Sequence, residues 1–140
     1  MNTNAEKLKQ YLDENLPDAF QLADSEDGAV TYFQSAVEIE GKPYPIMAFV
    51  DETMYTPIKI LVAAEAVNRR NKAAVLERLN DINARILPFK YFVDEKNNIV
   101  FLGYTTTWGD TFNPAVVHGS LLAMLDNLKA EYKAIMKALR

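Results

Sequence analysis

The chain has 140 residues, 49% of them apolar, a net charge of −4 and no cysteine. One domain of this size builds a real core, which excludes wholesale disorder, and the missing thiols exclude disulfides, thiolate metal sites and a cysteine nucleophile. No apolar run reaches the about 20 residues that span a bilayer, and an acidic chain has no broad attraction for nucleic acid or anionic membrane.

Met1 to Glu6 lacks the basic-then-apolar pattern of a signal peptide, so a cytoplasmic protein is expected. Thr3 and Glu6 have capping-box spacing. Ala5, Leu8, Leu12 and Leu16 then form a helical apolar stripe that Pro17 stops. Phe20 and Leu22 suggest a short strand before the turn Asp24 to Gly28. From Val30 to Glu40, Phe33, Val37 and Ile39 alternate with Tyr32, Gln34, Glu38 and Glu40, the period of a half-buried strand. A hairpin loop at Gly41-Lys42 leads to a returning strand over Tyr44 to Asp51. Its Pro43 and Pro45 belong at a strand start or an edge. After a second turn, Ile58 to Ala66 reads as a strand, with Glu65 inside it. Asn68 is a plausible cap for the helix that follows.

In that helix Val75, Leu76, Leu79, Ile82 and Ile86 recur on one side, and Asp81 and Arg85 are spaced for an i,i+4 ion pair. Pro88 ends it. Phe89, Tyr91 and Val93 alternate as a strand, Asp94 to Asn98 is a turn, and Ile99 to Thr107 is the return strand. Asn113 and Pro114 are an N-cap and first helical residue. Val117, Leu121, Met124, Leu125, Leu128, Tyr132, Ile135 and Leu139 form the stripe of the last helix. Lys129, Lys133, Lys137 and Arg140 fall near its C-terminal end, where cations complement the helix dipole.

The predicted order is α-β-β-β-β-α-β-β-α in a single domain over 1–140. This is an α+β two-layer sandwich, with three helices on an antiparallel sheet.

Over roughly 70 to 139 the chain resembles the YbjN family. The residues that carry the likeness are Leu79-Asn80-x-x-Asn83, Phe92-x-Asp94 before a polar turn, Ile99-x-Phe101 after it, and the long terminal helix. That family is similar in fold to the chaperones of bacterial type III secretion and has been labelled a set of sensory-transduction regulators. The resemblance implies a homodimeric sandwich that holds other polypeptides. The terminal helix departs from the secretion chaperones in ending basic rather than acidic.

Chemistry-bearing motifs are absent: no phosphate-cradling glycine loop, no H-E-x-x-H and no G-x-S-x-G. No catalytic, metal or cofactor residues are therefore assigned. His118, the one histidine, reads more readily as a packing or surface residue than as a general base. Asn68 to Lys72 is a basic cluster at a helix start and reads as solvated. Trp108 to Phe112 is either a binding loop or cover for the core edge. Tyr32, Tyr44, Tyr55, Tyr91 and Tyr104 either line an open sheet face or lie under a helix. Partner contacts are therefore expected at Tyr32, Tyr91, Tyr104, Trp108 and Phe112. The reading is a non-enzymatic, chaperone- or adaptor-like module whose partner is another polypeptide. The alternative is a small-molecule carrier with an aromatic-lined pocket between helices and sheet.

Overall fold

A computed structural model of the chain describes residues 1–107 and 111–140. Helix α1 covers Thr3–Asn15, strands β1 to β4 cover Gln21–Asp24, Thr31–Ile39, Lys42–Val50 and Tyr55–Ala63, helix α2 covers Lys72–Asn83, strands β5 and β6 cover Phe89–Val93 and Ile99–Thr106, and helix α3 covers Pro114–Ala138. The six strands form one sheet in the order β1-β2-β3-β4-β6-β5, antiparallel throughout. The expected element order and the α+β sandwich are what the chain adopts.

Strand register sorts the side chains onto two faces. Phe33, Ala48, Ile58, Gly103 and Phe89 lie in one row, and Ser35, Ile46, Ile60, Phe101 and Tyr91 in the next. All three helices pack on this face. Leu8 and Leu12 of α1 and Val117 and Leu121 of α3 meet Phe33, Ile46 and Ile58. The Tyr132 hydroxyl of α3 hydrogen-bonds that of Tyr44 on β3. Asn83 of α2 bonds the backbone of β5. Gly103 lets α3 approach, because a Cβ there would sit 2.7 Å from Met124 Sδ and 2.8 Å from Phe89 Cδ1.

Several local expectations are corrected. The N-cap of α1 is Asn2, whose Oδ1 accepts from Ala5 N at 2.8 Å, so Thr3 is the first helical residue and no Thr3–Glu6 capping box forms. The β2–β3 loop is Glu40-Gly41, both at positive φ, with Ile39 facing Lys42; this is the mirror-image turn that matches strand twist. β4 starts at Tyr55 and ends at Ala63, so Glu65 is outside it, exposed and at φ +49°. Asn68 caps the turn before α2 through Arg70 N and Asn71 N, while Asn71 holds the N-cap position. Helix α2 stops at Asn83, five residues before Pro88. Leu76 points to solvent. Arg85 bonds Glu131 of α3 at 2.9 Å rather than pairing with Asp81. That bond, with the Glu131 charge, raises the Arg85 pKa further. Asp81 and Arg85 are not one helical turn apart, because the helix ends at Asn83, and the largely buried Glu131 takes the guanidinium instead.

The prolines of β3 do lie at its start. The register between β3 and β4 runs only over Ile46 to Ala48 and Ile58 to Ile60. Pro45 and Pro57 bracket it, consistent with residues that cannot donate to a ladder.

Candidate functional site

Among the described residues, no helix packs on the second sheet face. Register places Tyr32 beside Phe49 and Pro57 beside Tyr104 in its first row, Gln34, Met47, Lys59, Leu102 and Lys90 across the second, and Ala36 beside Pro45 and Leu61, Val100 and Phe92 together in the third. Two apolar rows therefore flank one that contains two lysines and a glutamine. These rings are ordered by their neighbours. Tyr32 meets Phe49 edge-on at 5.7 Å, and Tyr55 meets Tyr104 edge-on at the same separation. The Lys59 ammonium lies 5.5 Å from the Phe49 ring centre, its stem crossing apolar surface. Two shallow hollows of about 300 and 380 Å³ indent the face, one walled by Met47, Phe49 and Leu61, the other by Tyr32, Phe49 and Tyr55. A third, of about 380 Å³, lies at the β5 end between Leu87, Leu102 and Tyr104.

The tyrosines divide between the two faces. Tyr32 is half-buried on the open face, and Tyr55 and Tyr104 are exposed there, at 48% and 52%. Tyr44 and Tyr91 are core. Burial, then the bond from Tyr132, pushes the Tyr44 pKa up to about 12, and burial raises Tyr91 as well. Tyr91 stacks on Phe101 at 3.9 Å and its hydroxyl donates to Asn127 Oδ1. Tyr91 is thus removed from the expected partner contacts, because its strand phase points it under α2 and α3. Phe112 is removed too, since it is 6% exposed and packs into the core. Trp108 lies outside the described residues. Sequence reasoning missed Met47, Phe49, Leu61 and Leu102. They sit in runs that are apolar on both phases, so alternation alone does not expose them.

His118 is half-buried on α3, and its Nδ1 is 2.9 Å from the Tyr11 hydroxyl of α1. It therefore ties two helices together. Asn80 is exposed, while Asn83 bonds backbone. No group of three or more His, Asp or Glu among the described residues is placed to hold a metal ion. No helix among the described residues is long and apolar enough to cross a membrane. Between helices and sheet the hollow near His118 measures only about 20 Å³, walled by Leu8, Leu12, Phe33, Ile46 and Val117. That is room for one water, far below the about 300 Å³ of a ligand pocket.

No protein-family model and no curated protein matches the chain.

Proposed function

We propose that the chain is a non-enzymatic protein-binding module, chaperone- or adaptor-like, that works as a homodimer joined through its open sheet face. One observation carries the reading: among the described residues no helix covers the face of β2, β3, β4 and β6 on which Tyr32, Met47, Phe49, Leu61, Leu102 and Tyr104 lie. Isolated proteins seldom expose contiguous apolar patches beyond a few hundred Å². Strands about 4.8 Å apart and residues about 3.3 Å apart make this face roughly 500 Å² in plan. Two copies face to face remove about 1,000 Å² or more from water, the lower bound for a specific interface. Sheet-on-sheet packing with interdigitated side chains is the ordinary way such faces are buried. The YbjN resemblance points to the same homodimeric, polypeptide-holding role. The carrier reading gains nothing from the about 20 Å³ hollow between the layers.

The test is sedimentation equilibrium on the wild type, on Leu61→Asp and on Leu122→Asp, the last substituting an exposed residue of α3. The wild type and Leu122→Asp should have the mass of a dimer, and Leu61→Asp that of a monomer. A wild type that stays monomeric at high concentration overturns the reading.

A further inference from the structure

We infer that the end of the molecule where α3 finishes and α2 begins is a docking surface for an acidic polypeptide segment. The inference rests on the protein-binding reading and adds the chemistry of the client.

Asn71 is 2% exposed and holds this end together. Its Nδ2 donates to Leu139 O at 3.1 Å and Ala66 O at 3.0 Å, and its Oδ1 accepts from Asn68 N at 2.8 Å. The last turn of α3 is thereby fixed beside Arg69, Arg70 and Lys72. On the other side of α3, Lys42, Lys133, Lys137 and Arg140 line one groove of about 550 Å³ with Glu40, Tyr132 and Met136. All seven cations are exposed. The ion pairs among the described residues are Lys9–Asp13 and Arg85–Glu131, so none of the seven forms an ion pair within that set. Glu40 and Glu65 are the carboxylates set among them, and the β5–β6 turn behind adds Asp94, Glu95 and Lys96. In a chain of net charge −4, this concentrates positive charge at one pole and leaves the remainder strongly acidic.

Helix electrostatics account for only part of the cluster. Lys133, Lys137 and Arg140 complement the C-terminal end of α3. Arg69, Arg70 and Lys72 stand at the N-terminal end of α2, where the dipole favours acids and the first turn contains none. An acidic partner satisfies both groups at once.

The groove favours a polypeptide over nucleic acid. Bases stack on exposed rings, but Tyr44 and Tyr132 are buried and bonded to each other. The acidic remainder of the chain repels a long polyanion once it extends past the pole. Half-buried Met136 gives the groove an apolar floor for a side chain between two carboxylates.

The test is fluorescence anisotropy of the full chain with a labelled deca-glutamate peptide, a single-stranded DNA of ten nucleotides and vesicles containing anionic lipid. The peptide should bind most tightly, with affinity that falls as salt rises. The double variant Lys133→Glu/Lys137→Glu should lose at least about tenfold, as reversal of steering charges does. Lys7→Glu/Lys9→Glu on α1 should change it by less than about twofold, since its positions lie outside the groove. Leu61→Asp, which tests the dimer, should bind the peptide as the wild type does, so the two proposals fail separately. No peptide binding, an affinity indifferent to the Lys133/Lys137 reversal, or tighter binding of the DNA or the vesicles overturns the inference.

Discussion

The carboxamide of Asn83 grips the backbone of Tyr91 on both sides: Oδ1 accepts its N–H at 2.8 Å and Nδ2 donates to its carbonyl at 2.9 Å. On an edge strand, alternate residues turn both backbone groups away from the sheet, where another strand can capture them. At the centre of β5 the end of α2 has taken that place. Asn83→Ala removes two bonds worth about 1 kcal/mol each, so unfolding free energy in urea should fall by roughly 2 kcal/mol. The variant should also aggregate faster than the wild type on mild heating. Asn83→Asp should recover little, because a carboxylate accepts the N–H but repels the carbonyl.

Gly103 sits where β6 passes under Met124 and beside Phe89. Met124 is fully buried and Phe89 is partly buried and held edge-on to Phe101, so an added Cβ must displace a packed side chain. Gly103→Ala should cost about 1–3 kcal/mol, the usual range for overpacking. Adding Met124→Ala should recover part of the loss, giving a non-additive pair in denaturant titrations.

How far the sequence showed these features depends on whether a residue acts within its own segment. The alternation of Phe33, Val37 and Ile39, the helical stripe of α3 and its Asn113-Pro114 start were legible because periodicity and capping are local. The end of α2 was not. Its last residue, Asn83, is bonded to Tyr91 in the strand that follows, and Arg85 just beyond it is paired with Glu131, distant in sequence; neither is a periodic signal. The open face was half legible: Tyr32 and Tyr104 stood out, but Phe49 and Leu61 lie in strands apolar on both phases. Tyr91 and Phe112 look like any surface aromatic until the packing of α3 is known.

Asn71 closes the N-terminal end of α2 onto the C-terminal end of α3. Asn71→Ala leaves part-buried backbone groups of Asn68, Ala66 and Leu139 without that partner, which should cost about 1–3 kcal/mol. Amide exchange should accelerate in the last turn of α3 before it does so elsewhere in that helix. Uniform exchange along α3 would contradict this placement.

The turn between β5 and β6 is built on Asp94. Its carboxylate accepts from Asn98 Nδ2 at 2.9 Å and from Asn98 N and Lys96 N at 3.0 Å. The Asn98 side-chain bond above all holds its pKa below the ordinary value. In the unfolded chain the group titrates near 4. Above that pH both states are ionised and the stabilisation is complete. As pH falls towards the folded value, the unfolded state takes up its proton first and the stabilisation is lost. The thermal midpoint of Asp94→Ala should therefore lie below that of the wild type at pH 7, and the gap should narrow below about pH 4. A gap that stays constant to pH 3 would remove Asp94 from this role.

In the proposed dimer two copies meet through the open face, and a distance across that face tests this most directly. The chain has no cysteine, so Lys59→Cys carries a single nitroxide at the middle of the central row. Packed sheets lie about 10 Å apart, and with the label arms the two spins should be within roughly 25 Å, closer than a pair on Leu122→Cys of α3. A dimer whose Leu122 labels are the closer pair, or one with no dipolar coupling at position 59, would contradict the account.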